Sequence, residues 1–132
     1  MFRRCCLILC LLPALASAQS IPPQAEQYRR DLTRIAYSVW GLDAPVATLA
    51  AQLHQESLFN PDAVSWAGAS GISQMMPPTA ASLARIYPEL QPVNVFDPRW
   101  SLKAQSYLMR ELWQRYPAAF DCFERLGFST AS

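Results

Sequence analysis

An all-α fold is predicted for the 132-residue chain, in a single domain. Behind an apolar leader, the sequence is rich in Ala and Leu, which favour helices, and poor in Val, Ile and Thr, which favour strands. Several stretches repeat apolar residues at helical spacing, and proline or glycine residues separate them. These observations predict a run of helices joined by loops.

Two helices are predicted in the first part of the domain. The first covers residues 24–40 and ends at Gly41. Its apolar face consists of Tyr28, Leu32, Ile35 and Val39. The second begins after Asp43, which we expect to cap it, with Pro45 in the first turn, where no N–H is needed. Its apolar stripe is Val46, Leu49, Ala50 and Leu53, with the spacing of an amphipathic helix.

A long loop is predicted over residues 57–78, because this stretch contains Asn-Pro, two glycines and Pro-Pro. At most, a short helix would form around Ile72–Met75. The next helix runs from Thr79 to about Ile86. The loop therefore connects two helices.

The last long helix is predicted from Asp97-Pro98 to Arg115, with an acidic cap and a proline just inside it. Its buried side would carry Ala104, Leu108 and Leu112. Pro117 stops the helix, and residues 118–127 could form one more short helix.

The first eighteen residues have the pattern of a secretory signal peptide. Arg3 and Arg4 precede a short apolar run, and the triplet Ala16-Ser17-Ala18 provides a cleavage site after Ala18. The run is shorter than the roughly 20 residues that span a bilayer. We therefore expect an exported protein of the periplasm or cell envelope.

Cysteine and charge counts exclude several kinds of site. Cys5, Cys6 and Cys10 lie in the leader, so the exported chain would keep Cys122 alone and form no internal disulfide. His54 is the single histidine, which leaves no zinc-type cluster. Eleven Lys and Arg against ten Asp and Glu provide no basic excess for phosphates. We expect no metal, no cofactor and no nucleic-acid partner.

Glu56 stands where a carboxylate does not help a helix. It lies at the C-terminal end of the second helix, where the macrodipole disfavours negative charge, and it continues the stripe of Leu49 and Leu53. A carboxyl group held against apolar surface tends to stay protonated, as a general acid must be. The alternative is an ordinary surface glutamate on a helix that ends early, and position alone favours that alternative.

The run from His54 to Ala80 resembles the catalytic signature of the soluble lytic transglycosylase (SLT) domain, a lysozyme-like fold that cuts peptidoglycan. The matching residues are Glu56-Ser57, Asn60-Pro61, Ala63-Val64-Ser65, Gly68-Ala69-Ser70-Gly71, Ile72, Gln74-Met75-Met76-Pro77 and Thr79-Ala80. The stretch from Asn94 to Leu108 is also similar to the family, so the resemblance covers about residues 40–116.

The resemblance implies a role for each matching position. Glu56 would be the catalytic acid and base, and Ser65 would assist beside it. Gln74 and Met76 would line the saccharide groove, while one of Met75 and Met76 fills the core. Gly68 and Gly71 would let the loop turn tightly. The implied mechanism needs one carboxylate; the nearest second one, Asp62, matches no catalytic position.

A Tyr-Asn segment of the family has no counterpart after Glu56. In the family, its tyrosine hydrogen-bonds the catalytic glutamate and completes a wall of the groove. We therefore expect a C-terminal truncation or frame change near residue 119, with impaired activity and marginal stability. The expected organisation is a signal peptide (1–18), a helical lead-in (19–39), a catalytic core (40–119) and a divergent tail (120–132).

These features together predict an exported peptidoglycan lytic transglycosylase that leaves a 1,6-anhydro-muramoyl product. The alternatives are a non-catalytic peptidoglycan-binding remnant, a lysozyme-type hydrolase and a small secreted helical interaction protein. The expected partners are glycan strands of peptidoglycan and an envelope-spanning secretion, conjugation or phage apparatus.

Overall fold

Four α-helices and one 3₁₀ helix make up the chain between residues 22 and 116, which are the residues that the computed structural model describes. They are α1 (Pro23–Trp40), α2 (Val46–Ser57), α3 (Pro77–Ile86), the 3₁₀ helix (Pro88–Leu90) and α4 (Pro98–Arg115). In this range, β-structure is limited to isolated bridges, so the predicted all-α class is confirmed. The leader, Pro117, the helix predicted over 118–127 and the tail at 120–132 lie outside the described residues.

Two helix ends agree with the predictions, whereas the starts of α2 and α3 differ, since α3 begins at Pro77 rather than at Thr79. Gly41 ends α1 with a φ of 84°, and its N–H donates to the Tyr37 carbonyl at 3.0 Å. Asp97 caps α4, since its side chain accepts from the Arg99 N–H at 2.9 Å. The predicted capping role of Asp43 is wrong. A turn closed by the Ala44 N–H on the Gly41 carbonyl leaves Asp43 exposed, and α2 begins only at Val46 with no side-chain cap.

The core forms two adjacent clusters. The first consists of Leu32, Ala36, Leu49, Leu53, Phe59, Ile72 and Leu102. The second consists of Met75, Ala80, Leu83, Ala84, Leu90, Trp100 and Ala104. Helix α4 contributes to both clusters, and so does the loop between α2 and α3, through Ile72 and Met75. The loop is thus part of the core rather than a detached connection.

Helix α4 buries more than the one stripe predicted for it. Leu108 and Leu112 are only half-buried, whereas Ala104 is fully buried. Its other buried residues are Trp100, Ser101, Leu102, Gln105 and Ser106. The serine hydroxyls are satisfied, because that of Ser106 donates to the Leu102 carbonyl at 2.8 Å and that of Ser101 to the Val95 carbonyl at 2.7 Å. Several faces are buried because α4 packs against α1, α3 and the 3₁₀ helix.

Polar contacts fasten α4 to its neighbours. Asp31 on α1 accepts from Arg99 at 3.0 Å and from Arg34 at 2.5 Å. These two hydrogen bonds hold the pKa of Asp31 below its usual value. On the other side, the rings of Tyr87 and Tyr107 stack with centroids 3.8 Å apart. Burial, and secondly the hydrogen bond to the Glu89 carboxylate, raise the pKa of Tyr107 to about 12.

No helix within residues 22–116 is long and apolar enough to cross a bilayer.

Candidate active site

Glu56 is the penultimate residue of α2, and its side chain is exposed. The hypothesis that it packs against apolar surface is therefore wrong, and its exposure is that of a surface glutamate, the alternative that position alone favours. The chain leaves the helix through Leu58 and Phe59, whose φ angles are 54° and 63°. This bend turns the Phe59 ring inward, where it is 4% exposed and packs with Leu53 in the first core cluster. At the end of α2, Phe59 rather than Glu56 therefore enters the core.

The Glu56 carboxylate has no hydrogen-bond or ion-pair partner among residues 22–116. The adjacent Ser57 is anchored, since its hydroxyl donates to the Ile72 carbonyl at 2.7 Å. Ile72 is fully buried, so this bond ties the end of α2 to the base of the loop. The backbone at Glu56 is therefore held in place by its neighbour Ser57, while the Glu56 carboxylate faces solvent.

A small hairpin forms the middle of the loop. The N–H of Gly71 donates to the Ala63 carbonyl at 2.9 Å, and Val64 and Ser70 form an antiparallel bridge. Beyond the bridge, the Ser65 N–H donates to the Ala69 carbonyl at 2.9 Å. We name residues 63–71 the signature hairpin.

Ser65 holds the turn of the signature hairpin. Its carbonyl accepts from the Gly68 N–H at 3.0 Å, and its hydroxyl oxygen accepts from the Ala69 N–H at 3.0 Å. A hydroxyl that accepts this bond still has its own proton to donate. The hydroxyl therefore supports the turn and remains a donor for a ligand.

The short helix expected around Ile72–Met75 does not form. Ser70 and Met75 instead exchange two backbone hydrogen bonds, of 3.1 and 2.9 Å, around a tight turn. Gln74 occupies this turn with a φ of 48°. The segment closes back on the signature hairpin because Met75 must enter the second core cluster.

Gln74 is committed to the loop through its amide nitrogen. Its Nε2 donates to the carbonyls of Ala63 and Gly71, each at 3.0 Å, which uses both amide hydrogens. No hydrogen bond within residues 22–116 uses its Oε1. The amide group of a glutamine has both donors and an acceptor, and of these Gln74 keeps its acceptor for a ligand.

The two glycines of the signature hairpin differ in what they require. Gly68 and Gly71 have φ angles of 90° and 78°, a region that favours glycine. At Gly71, a Cβ atom would also lie 1.9 Å from the Val95 carbonyl oxygen, whereas at Gly68 it would meet open space. Gly71 thus allows the loop to press against the backbone before α4.

The two consecutive methionines have opposite environments. Met75 is 3% exposed and belongs to the core, while Met76 is 40% exposed at the start of α3. The expectation that one of them fills the core is confirmed, and the other presents apolar surface beside the loop.

Trp66 was missed by the sequence reasoning. It is 100% exposed at the tip of the signature hairpin. The available signal was a tryptophan in a stretch of serine, alanine and glycine that has no apolar periodicity to bury it. Asp62, by contrast, is exposed near α1, where it is the second cause, after burial, of a raised pKa of Tyr28.

Metal ligands do not gather anywhere in the described part of the chain. Residues 22–116 contain no group of three or more His, Cys, Asp or Glu side chains placed to hold an ion. The predicted site residues offer the carboxylate of Glu56, the hydroxyl of Ser65, the amide oxygen of Gln74 and the apolar surface of Met76.

Comparison with known proteins agrees with this arrangement. The sequence model of the family described as "Transglycosylase SLT domain" matches residues 36–127, which extends into the tail predicted to diverge. The chain is similar to membrane-bound lytic murein transglycosylase F of Photobacterium profundum, with 32% identity over 84 residues. That alignment covers 64% of this chain and 15% of the relative, so the chain spans only a small part of its relative's length. No solved structure matches the chain. Because the family match includes 92 of the 132 residues, from 36 to 127, the chain belongs to the SLT transglycosylase domain family and has its lysozyme-like, all-α fold.

Proposed function

We propose that this protein is a peptidoglycan lytic transglycosylase. It would cleave the β-1,4 bond between N-acetylmuramic acid and N-acetylglucosamine and leave a 1,6-anhydro-muramoyl end. The observation that carries the proposal is the exposed Glu56 carboxylate at the end of α2, tied through Ser57 to the loop of the family signature.

One carboxylate can perform both proton transfers of this reaction. Protonated Glu56 gives its proton to the glycosidic oxygen as the bond from that oxygen to the muramoyl C1 breaks. The resulting carboxylate takes the proton of the muramoyl C6 hydroxyl, whose oxygen bonds to C1 and closes the anhydro ring. The nucleophile belongs to the substrate, so proximity replaces the activation of a water molecule.

The loop provides three groups for holding the sugars. The Ser65 hydroxyl can donate a hydrogen bond, the Gln74 Oε1 can accept one from a sugar hydroxyl or an N-acetyl N–H, and Met76 presents an apolar surface. Because Gln74 is fixed by two bonds to the backbone, its oxygen is held in place before substrate arrives.

Export to the cell envelope completes the proposal. The leader at residues 1–18 has the order of a signal peptide, and the matched relative is a membrane-bound murein transglycosylase by name. Local opening of the wall for an envelope-spanning secretion, conjugation or phage apparatus is the role we propose for such an enzyme.

A non-catalytic peptidoglycan-binding protein is the second candidate. It is favoured by the lack of any partner for the Glu56 carboxylate within residues 22–116, since a general acid is normally oriented by a neighbouring donor. In that case the loop would bind glycan strands and Glu56 would not turn them over.

Mass spectrometry of digested peptidoglycan distinguishes these functions. We expect anhydro-muropeptides from the wild-type protein and none from the Glu56→Gln variant. Muropeptides with a reducing muramic acid end, released only by the wild type, would identify a lysozyme-type hydrolase. Retention on purified sacculi without any released product would identify the non-catalytic binder.

A further inference from the structure

Trp66 is the most exposed large apolar side chain of the loop that carries the family signature. Its side chain is 100% exposed, and within the described part of the chain it forms no hydrogen bond and stacks on no other ring. Full exposure of an indole ring is costly in water, because its apolar area is large. Tryptophan is enriched at binding interfaces, because one end of its ring is apolar and the other can form a hydrogen bond.

The backbone beneath Trp66 is well defined. Ser65, Trp66, Ala67 and Gly68 form the turn of the signature hairpin, closed by the Gly68 N–H on the Ser65 carbonyl at 3.0 Å. Gly68, the last residue of this turn, has a positive φ, as is common in three-residue hairpin loops. The Ser65 hydroxyl adds the bond from the Ala69 N–H. The indole is therefore carried at a fixed point, and little backbone entropy is lost when a ligand binds it.

The charge pattern around the loop favours an uncharged ligand. No Lys or Arg occurs between Arg34 and Arg85, so the hairpin has no nearby cation in the sequence to attract anionic lipids. The loop is instead rich in hydroxyl and amide side chains, which match sugar hydroxyls and N-acetyl groups. A saccharide ring has an apolar face that can stack on an indole and a polar edge that can use these groups.

We infer that Trp66 is a substrate-binding residue that stacks on an N-acetylglucosamine ring of the glycan strand. This inference rests on the proposed function, because it places the ring on the strand that Glu56 would cleave. Trp66 thereby extends the binding surface beyond Ser65, Gln74 and Met76 and contributes to affinity rather than to proton transfer.

Binding measured without turnover tests this inference. In the Glu56→Gln background, sedimentation with purified sacculi gives the affinity of the full chain for peptidoglycan. Loss of about 60 Å² of apolar contact predicts about tenfold weaker binding for Trp66→Ala, and Trp66→Phe restores most of it. The matched control is Leu42→Ala, since Leu42 is 90% exposed in the turn between α1 and α2 and should not affect binding. An oligomer of N-acetylglucosamine should also reduce the quenching of tryptophan fluorescence by acrylamide in the protein that retains Trp66.

The possible results separate this inference from the proposed function. Unchanged sedimentation of Trp66→Ala, or no binding of sacculi by any variant, overturns the inference. Trp66-dependent binding without any released muropeptide from wild type supports the stacking of Trp66 on the glycan strand and rejects the enzyme. Trp66-dependent sedimentation with phosphatidylglycerol–phosphatidylethanolamine vesicles, together with Trp66-independent binding to sacculi, would assign the residue to a membrane surface instead.

Discussion

Replacing Gly71 with alanine tests how the signature hairpin is held against the rest of the fold. The new Cβ would lie 1.9 Å from the Val95 oxygen and 2.9 Å from the Val95 carbonyl carbon, so the backbone before α4 must move. The positive φ of Gly71 adds about 1–2 kcal/mol of strain for a residue with a Cβ. Moving Val95 breaks its 2.7 Å hydrogen bond from Ser101, which is fully buried, at a cost of about 1–3 kcal/mol. The free energy of unfolding should fall by about 2–5 kcal/mol.

Urea denaturation provides the assay, and Gly68→Ala provides the matched control. Gly68 has a φ of 90° but open space around its missing Cβ, so its replacement incurs only the backbone strain of about 1–2 kcal/mol. Gly71→Ala must therefore be the more destabilising of the two by about 1–3 kcal/mol. Equal losses in the two variants would refute the reasoning, because the contact with Val95 would then contribute nothing.

Three further substitutions test other parts of the structure. Glu56→Gln should abolish the release of anhydro-muropeptides while changing the free energy of unfolding by less than about 0.5 kcal/mol, since the side chain is exposed; a large loss of stability would contradict this picture of the site. Asp97→Ala should lower the free energy of unfolding by about 1 kcal/mol in urea, because the Arg99 N–H loses its cap, and an unchanged midpoint would mean that the cap is not formed in solution. Hydrogen bonds from Arg99 and Arg34 lower the pKa of Asp31 in the folded state. The ionised Asp31 side chain therefore stabilises the fold above the ordinary carboxyl pKa of about 4, and this stabilisation is lost as the pH falls through the lower pKa of the folded state. The denaturation midpoint of Asp31→Asn should therefore fall less than that of the wild type between pH 7 and about pH 3. An equal fall in both proteins would show that Asp31 contributes nothing to the acid dependence of stability.

Sequence reasoning located the helices well and their buried faces less well. The leucines of α1 and α2 were found by their spacing, since amphipathic periodicity depends only on the order of residues. The buried Ser101 and Ser106 of α4 were missed, because a polar residue is read as exposed unless its hydrogen-bond partner is known. Ser106 donates to the Leu102 carbonyl one turn earlier on α4, and Ser101 donates to the Val95 carbonyl before the helix. Both are buried because other elements pack around α4, which the pattern of one helix cannot reveal.

The candidate site shows the same division. Glu56, Ser65, Gln74 and Met76 were selected through the resemblance to a family, and the loop between α2 and α3 carries three of them. The apolar environment considered for Glu56 is wrong, because an apolar stripe extended into the last turn of α2 has no packed neighbour to cover it there. Two residues of positive φ end the helix and turn Phe59 into the core.

The sequence by itself determined the all-α class, the boundaries of most helices and the membership of the signature loop in the SLT family. These follow from local propensity, from apolar spacing and from an ordered motif, all of which are properties of residue order. Only the tertiary structure decided that Glu56 faces solvent, that Gln74 commits its amide hydrogens to the loop and that Trp66 stands at the tip of a braced hairpin. Each of these depends on which distant backbone groups lie within hydrogen-bond or contact distance, and that is settled when the loop packs between α2 and α4.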